Sequence, residues 1–226
     1  MGIEGNLASV VKRIEGAANR AGRDPSGIEL VAVTKTVGVD AIRQAIDAGV
    51  EIVGENRVQD AKEKHAALGG RVRWHMIGHL QRNKVRDALG IFEMIHSVDS
   101  LRLARAIDGE AEKRSIVVPV MVEVNVSGET TKYGVAPDNL EEMVAAMGEM
   151  KNISTCGLMT MAPFVADAEE VRPVFAGLRR LRDGLRESGF DVPYLSMGMT
   201  QDYEVAIEEG ATHVRIGSAI FGPRQL

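Results

Sequence analysis

The stretch Glu29-Leu-Val-Ala-Val-Thr-Lys35 joins an apolar, β-branched run to a single lysine. Such a run is typical of a parallel strand that is buried on both faces. Because an ammonium group is costly to bury, we expect Lys35 to lie at the rim of a sheet, where it can reach a ligand. A desolvated amine has a lowered pKa, and a neutral amine can attack an aldehyde to form a Schiff base. In the alternative interpretation, Lys35 ends the strand and extends into solvent.

Strand-like runs alternate with helical patterns on both sides of this stretch. An amphipathic segment at residues 4–20 predicts an extra N-terminal helix. Strands that alternate with helices pair in parallel through right-handed crossovers. Eight such units in 226 residues favour a closed (β/α)8 TIM barrel of the α/β class, in a single domain over residues 1–226. An open doubly wound sheet is the alternative. After the first strand, further strands are predicted at residues 51–54, 72–77, 93–98, 117–125, 153–159, 192–196 and 212–216.

The composition is that of an ordinary globular protein. The formal net charge of −5 argues against the broad basic face that nucleic acids and anionic membranes require. The single cysteine, Cys156, excludes an internal disulfide and favours a reducing compartment, and its apolar surroundings favour an inert buried thiol. No apolar stretch approaches the ~20 residues of a membrane helix, and no signal-peptide pattern begins the chain. We therefore predict a cytoplasmic protein.

The last two predicted strands end in hydroxyl-bearing residues and glycines. In either parallel topology, ligands bind at the carboxyl ends of the strands. Side-chain hydroxyls and the backbone amides that glycines leave accessible can surround a phosphate dianion. We also expect Thr200 to cap a helix that begins near residue 201. In the alternative interpretation, both turns are helix caps without a ligand. The predicted phosphate set is Ser196, Gly198, Thr200, Gly217 and Ser218.

A lysine amine and a phosphate-binding set on one rim suit a phosphorylated aldehyde. Pyridoxal 5′-phosphate (PLP) is the simplest candidate that has both groups. Arg215 precedes the Gly217 turn and could point inward from strand eight toward a pyridine nitrogen. An arginine stays protonated and can only donate a hydrogen bond. The ring nitrogen would therefore remain unprotonated, which makes the ring a weaker electron sink than an aspartate partner would. A surface salt bridge is the alternative role for Arg215.

Six motifs occur in order along nearly the whole chain: Val31-Ala-Val-Thr-Lys35, Gly54-Glu-Asn-Arg-Val-Gln59, Trp74-His-Met-Ile-Gly-His-Leu-Gln-Arg-Asn-Lys84, Gly157-Leu-Met-Thr160, Leu195-Ser-Met-Gly-Met-Thr200 and Val214-Arg-Ile-Gly-Ser-Ala-Ile-Phe-Gly222. Together they resemble the YggS/PROSC family of pyridoxal phosphate homeostasis proteins. The resemblance implies a barrel like the alanine racemase N-terminal domain (PLP fold type III), with pyridoxal phosphate bound as an aldimine. It implies that Lys35 is the Schiff-base lysine and Arg215 the partner of the pyridine nitrogen. Asn56 would lie beside the ring and His79 near the rim. The phosphate would be held by Ser196, Gly198, Thr200, Gly217 and Ser218.

The resemblance does not by itself separate a catalyst from a carrier. A racemase needs two acid–base groups, one on each face of the substrate adduct. The alanine racemase type takes its tyrosine from an added β domain across a dimer, and we expect no second domain after Leu226. None of Tyr133, Tyr194 and Tyr203 has an evident claim to that role. We predict a monomeric, non-catalytic carrier of pyridoxal phosphate that contacts PLP-dependent apoenzymes transiently. The alternatives are a PLP-dependent racemase and a sugar-phosphate barrel enzyme with Lys35 as its nucleophile.

Other polar residues are assigned structural roles. His75 lies within a predicted strand and is interpreted as a core histidine with satisfied hydrogen bonds. The His75–His79 spacing suits a metal only on a helix, and Gly78 argues against one there, so no metal site is predicted. The loop at residues 127–134 follows strand five and could cover the site. Its Lys132 and Tyr133 are interpreted as solvated residues rather than as lid groups.

Overall fold

Eight parallel strands close into a barrel, in chain order, in the computed structural model, which describes residues 2–129 and 132–223. The first strand pairs with both the second and the last, so the sheet has no edge there. The prediction of a closed (β/α)8 barrel is confirmed, and the open doubly wound sheet is excluded. The strands are β1 (Glu29–Val33), β2 (Ile52–Glu55), β3 (Arg73–Met76), β4 (Met94–Val98), β5 (Val118–Glu123), β6 (Ile153–Met159), β7 (Tyr194–Met199) and β8 (His213–Ile216).

The register of β1 explains why its sequence is so apolar. Val31 and Ala32 are fully buried, as the β-branched run predicts for a strand covered on both faces. Val31 lies opposite Ile52 of β2 on one side and opposite Arg215 of β8 on the other. The strand that leads to Lys35 therefore runs directly beside the strand that carries Arg215.

Helices cover the outside of the barrel. The predicted N-terminal helix is confirmed as α1, which buries Leu7, Val10 and Ile14 and packs against the last two helices. In the described part of the chain, no helix is both long enough and apolar enough to cross a membrane. The helices are α1 (Ile3–Arg20), α2 (Val39–Asp47), α3 (Val58–Leu68), α4 (Val85–Ala88), α5 (Leu101–Arg114), α6 (Leu140–Gly148), α7 (Arg172–Glu187), α8 (Tyr203–Glu208) and α9 (Ser218–Phe221).

One helix boundary differs from the prediction. The helix after β7 begins at Tyr203 and not near residue 201. Asp202 occupies the cap position, and its carboxylate accepts a hydrogen bond of 2.6 Å from the Met199 amide, which holds the preceding turn out of the helix. The prediction that Thr200 caps this helix is therefore wrong, and its hydroxyl is available for another partner.

The end of β5 also differs from the prediction. The strand ends at Glu123 rather than at residue 125, because the chain returns over its end and takes up the hydrogen bonds there. The Val135 amide donates to the Glu123 carbonyl at 2.8 Å, and the Asn125 amide donates to the Val135 carbonyl at 3.0 Å. The loop between β5 and α6 is thus attached to the barrel rim at its far end.

Cys156 lies on β6, and its Sγ is 3.4 Å from the Val120 carbonyl oxygen. Burial raises the pKa of the thiol to about 12. Because the reactive species is the thiolate, this environment agrees with the interpretation of Cys156 as an inert thiol.

Candidate functional site

A cavity of about 950 Å³ opens where the strands end. Its volume lies within the ~300–1,000 Å³ that is usual for small-molecule sites. One wall is apolar and comes from the segment after β6, with Met161, Pro163 and Phe164 among its residues. Of the eight predicted site residues, the structure brings six together in this cavity: Lys35, Asn56, Thr200, Arg215, Gly217 and Ser218.

Lys35 follows β1 in a tight turn and is half-buried. The next residue, Thr36, has a φ of 63°, in the left-handed region that a β-branched residue rarely adopts. The Val37 amide donates to the Thr34 carbonyl at 3.0 Å and closes the turn. Backbone strain of this kind persists only where surrounding contacts enforce it, and it is concentrated at functional sites.

An ion pair behind the turn supplies such contacts, with the Glu55 carboxylate fully buried and the Lys64 side chain 12% exposed. Lys64 of α3 lies 2.6 Å from the Glu55 carboxylate and also donates to the Thr34 carbonyl at 2.7 Å. The Thr34 hydroxyl donates to the same carboxylate oxygen at 2.6 Å. Thr34 and Glu55 are both fully buried. This triangle fixes the backbone immediately before Lys35, which limits where the lysine side chain can reach.

Arg215 is buried between β7 and β1, and it lines the cavity. Its guanidinium donates to the Ser196 hydroxyl at 2.6 Å and to the Thr160 carbonyl at 2.8 Å. Burial lowers the pKa of Arg215 to about 10, while the charges of Glu123 and Asp202 oppose that shift. The group therefore stays protonated at neutral pH. The alternative of a surface salt bridge is excluded by this burial.

Ser196 does not line the cavity, contrary to its prediction as a phosphate ligand. The side chain is fully buried in the barrel interior. Its Oγ accepts the hydrogen bond from Arg215 and lies 2.8 Å from Nδ1 of His96 on β4. The β7–β8 register shifts between Ser196 and Met199, so residues before and after the shift face different surroundings. We therefore leave Ser196 out of the phosphate set.

Gly198 also lies outside the cavity lining, and its role is in the backbone. Its φ is 90°, and a Cβ at this position would lie 2.6 Å from the Ala206 Cβ and 2.9 Å from the Tyr203 Cα. Only glycine combines this φ with this close approach to α8. Gly198 thus turns the chain so that the residues after β7 can reach the cavity.

Thr200 and Gly217 join the ends of β7 and β8. The Gly217 amide donates to the Thr200 hydroxyl at 3.4 Å, a long hydrogen bond that an incoming anion could replace. Ser218 follows directly and is exposed. The three residues present two hydroxyls and a backbone amide to the cavity, a set of donors from which a phosphate group can accept hydrogen bonds.

Two interior residues near the site were not predicted. Glu123 at the end of β5 has its pKa raised to about 7, chiefly by burial and then by the charge of Asp99, with Arg215 opposing the shift. His96 of β4 is fully buried beside Ser196. The available signal was a titratable residue inside each apolar strand run, at residues 93–98 and 117–125.

The far rim is bridged by the loop after β5, of which residues 130 and 131 lie outside the described parts of the chain. Tyr133 stacks on His79, with ring centroids 4.0 Å apart, and His79 Nδ1 is 3.0 Å from the Asp99 carboxylate. Lys132 pairs with Glu129 at 3.0 Å. Tyr133 is 58% exposed, as predicted for a solvated loop residue, and both loop residues also make these specific contacts. His79 lies at the rim, but it does not line the cavity.

Comparisons of the sequence with known proteins give consistent results. Residues 6–225 match the family described as "Alanine racemase, N-terminal domain". The pyridoxal phosphate homeostasis protein of Aquifex aeolicus (strain VF5) is 47% identical over 221 residues, which cover 97% of each chain. The protein of the same name from Escherichia coli (strain K12) is 40% identical over 231 residues, covering 97% of this chain and 95% of the relative.

Comparisons of the structure extend this similarity. PipY of Synechococcus elongatus PCC7942, solved with PLP bound, is 33% identical and superposes with a TM-score of 0.85, covering 97% of this chain and 100% of PipY. An alanine racemase of Clostridium difficile 630 superposes with a TM-score of 0.78 at 16% identity. That match covers 100% of this chain and 57% of the racemase, and at this identity it shows a shared fold alone.

Proposed function

We propose that this chain, which belongs to the alanine racemase N-terminal domain family and within it to the pyridoxal phosphate homeostasis proteins, binds pyridoxal 5′-phosphate in its cavity and holds it for transfer rather than for catalysis. The cofactor supplies an aldehyde, a pyridine nitrogen and a phosphate. The residues that line the cavity offer a partner for each of these three groups.

The observation that carries the proposal is the pairing of β1 with β8. Lys35 follows β1, Ser218 follows β8, and Thr200 follows β7, the other neighbour of β8. Three adjacent strands thus deliver an amine and two hydroxyls to one cavity. Had the barrel stayed open between β1 and β8, these groups would lie at opposite edges of a sheet. Because the barrel is closed, one small cofactor can contact both the Lys35 amine and the two hydroxyls.

In this proposal the Lys35 amine attacks the aldehyde carbon, a Schiff base forms, and the carbonyl oxygen leaves as water. The Thr200 and Ser218 hydroxyls and the Gly217 amide donate hydrogen bonds to the phosphate. Arg215 donates toward the pyridine nitrogen. Asn56, which lines the cavity after β2, lies beside the ring.

Two observations support a carrier in preference to a racemase. Arg215 is protonated at neutral pH and has only donors, so it leaves the pyridine nitrogen unprotonated and the ring a weak electron sink. In residues 2–129 and 132–223, no tyrosine lines the cavity. Tyr133 stacks on His79 at the rim, Tyr194 packs on His213, and Tyr203 is buried. A second acid–base group opposite Lys35 is thus not supplied by a tyrosine of the described chain.

Absorbance spectroscopy of the purified protein mixed with pyridoxal phosphate tests the Schiff base. We expect a visible band that borohydride abolishes, and peptide mapping of the reduced protein that finds the pyridoxyl group on Lys35. Lys35→Ala should lose the band, and Lys113→Ala, at an exposed lysine on α5, should retain it. A pyridoxyl group on a different lysine of the reduced wild-type protein would overturn the assignment.

The racemase alternative predicts exchange of the Cα hydrogen of an amino acid with solvent. Incubation of an amino-acid panel in D2O with the loaded protein should give deuterium incorporation no faster than free pyridoxal phosphate does. Exchange well above that rate, abolished by Lys35→Ala, would place the protein among the enzymes.

Carriage requires release to a recipient, and we propose that a monomer of this chain contacts PLP-dependent apoenzymes only transiently. Mixing the loaded protein with an apoenzyme should restore activity faster than an equal concentration of pyridoxal phosphate in the presence of a trap for free aldehyde. Restoration that the trap suppresses completely would contradict direct transfer.

A further inference from the structure

A continuous line of hydrogen bonds runs from Arg215 into the barrel interior. The Arg215 guanidinium lies 2.6 Å from Ser196 Oγ, and Ser196 Oγ lies 2.8 Å from His96 Nδ1. The opposite ring nitrogen of His96, Nε2, lies 3.0 Å from His75 Nδ1. All four residues are buried. The interior of such a barrel is usually filled by branched apolar side chains, so a polar line there needs an explanation.

The direction of this line follows from the donors available. Arginine can only donate, so Ser196 Oγ accepts from it. In the described parts of the chain, the Ser196 hydroxyl has one remaining partner, His96 Nδ1, and a buried hydroxyl hydrogen without an acceptor is costly. The hydroxyl therefore donates to His96 Nδ1. A neutral imidazole whose Nδ1 accepts carries its hydrogen on Nε2, so His96 donates to His75 Nδ1.

The chemistry of the histidines agrees with this direction. Burial, followed by the neighbouring histidines and arginines, lowers the pKa of His75 to about 3 and that of His96 well below its ordinary value. Both rings are therefore neutral near pH 7, with one donor and one acceptor each. A third buried histidine, His213, contacts both rings, but its Nδ1 bonds to the Thr212 hydroxyl at 2.9 Å instead.

The same line limits what Arg215 can present to the cavity. Of its five N–H bonds, the two on Nη2 are used by the Thr160 carbonyl and by Met161 Sδ at 3.3 Å. One on Nη1 is used by Ser196. Among the described residues, no hydrogen bond uses the second Nη1 hydrogen or the Nε hydrogen, so both can donate to a ligand.

We propose that Ser196, His96 and His75 are positioning residues, which lock the Arg215 guanidinium in one orientation through a one-way hydrogen-bond line with both imidazoles in the Nε2–H form. Arg215 then donates a hydrogen bond to the pyridine nitrogen of the cofactor from an orientation that is fixed before binding. The consequence for the ligand depends on the proposed function, whereas the tautomers and the orientation of Arg215 are properties of the protein alone.

Histidine and arginine 15N NMR of the unloaded protein tests the line without any cofactor. We expect Nε2–H resonances for both His75 and His96 at pH 7, and Arg215 side-chain hydrogens that exchange slowly with solvent. His96→Leu should speed that exchange at least tenfold. His96→Gln, whose amide can accept from Ser196 and donate to His75, should restore slow exchange. A hydrogen on Nδ1 of His96 in the wild-type protein would overturn the proposal.

His213→Gln is the matched control, since it alters a buried histidine of the same layer that is not part of the line. We expect Ser196→Ala and His96→Leu to weaken pyridoxal phosphate binding about tenfold and to shift the absorbance band. Ser196→Ala removes a hydrogen bond to the charged guanidinium, and His96→Leu removes the acceptor that orients the Ser196 hydroxyl. His213→Gln should leave both unchanged at a comparable melting temperature. Equal effects of His96→Leu and His213→Gln on binding and on the absorbance band would show that these histidines act only through core packing. If the wild-type protein does not bind the cofactor and the NMR result stands, the proposed function fails while the positioning role of the three residues survives.

Discussion

At the scale of single residues, the rim of the barrel depends on left-handed backbone conformations that non-glycine residues rarely adopt. Thr36 holds a φ of 63° beside Lys35, and Gly198 holds a φ of 90° before Thr200. Beside Lys35 the partly buried Lys64–Glu55 pair holds the turn through its hydrogen bonds to Thr34, and at Gly198 the absence of a Cβ permits the turn. The turn beside Lys35 and the turn before Thr200 are therefore shaped by different means.

Gly198→Ala should destabilise the protein by about 3 kcal/mol or more, because it combines left-handed strain of ~1–2 kcal/mol with a clash against α8. Gly189→Ala is the matched control, since its φ of 92° is nearly the same and a Cβ there would meet no atom of the described residues within 4 Å. Urea unfolding should therefore give a cost of about 1–2 kcal/mol for Gly189→Ala. Equal costs for the two variants would show that close approach to α8 is unimportant.

The buried histidines make stability depend on pH with a definite sign. Burial lowers the pKa of His213 to about 4, and the charges of Arg215 and Arg73 contribute to this shift. The unfolded chain therefore binds a proton at this histidine near pH 6.5, whereas the folded protein binds it only near pH 4. The stability contributed by His213 is complete above pH 6.5 and is lost as the pH falls toward 4. Glu123 acts in the opposite sense, since its raised pKa gives stability below pH 4.5 that is lost as the pH rises through about 7.

His213→Gln should therefore reduce the loss of unfolding free energy between pH 7 and pH 4.5 by about 2–3 kcal/mol relative to the wild type. Urea unfolding at the two pH values measures it, and the difference between proteins cancels the unchanged contribution of Glu123. Ser154→Ala, on β6, is the control, since it removes no titratable group, and should leave the loss as it is. A His213→Gln protein with the full wild-type acid sensitivity would contradict the assigned environment.

At the scale of elements, the helix that precedes the barrel is attached by packing more than by its ion pairs. Val10 and Ile14 of α1 are buried where this helix packs on the outer helices, whereas Arg20 pairs with Glu204 and Glu208 on the surface. Exposed ion pairs contribute ~0–1 kcal/mol, and the burial of one aliphatic side chain contributes ~1.5–3 kcal/mol. The apolar face that predicts α1 in the sequence is also what holds it in place.

Val10→Ala and Val11→Ala make a matched pair on α1, because the same two methyl groups are removed from neighbouring residues on different faces. Val10 is 3% exposed and Val11 is 39% exposed. We expect Val10→Ala to cost about 2 kcal/mol and Val11→Ala less than about 0.5 kcal/mol. Thermal or urea unfolding that gives equal losses would contradict the packing of this helix.

At the scale of the whole molecule, the local sequence pattern predicts some parts of the candidate site, and other parts depend on closure of the barrel. The eight strands, Lys35 and the hydroxyls after β7 and β8 follow from local periodicity and turn residues. The position of Ser196 does not, because it depends on a register shift between β7 and β8 that no local pattern records. The hydrogen-bond line through His96 and His75 likewise joins strands that are distant in sequence. Only the closed barrel brings β4, β3 and β7 to one axis.

In the proposed arrangement, Lys35 and the phosphate set of Thr200, Gly217 and Ser218 bind opposite ends of one cofactor molecule. It is tested most directly by the ratio of the dissociation constants of pyridoxal and pyridoxal phosphate, measured for the wild type and for Thr200→Val/Ser218→Ala. Ser154→Ala, an exposed hydroxyl on β6, is the control and should match the wild type. We predict that the wild type prefers the phosphorylated form about a hundredfold or more, and that the double variant loses most of this preference while Lys35 still forms the Schiff base. An unchanged preference in the double variant would contradict the account.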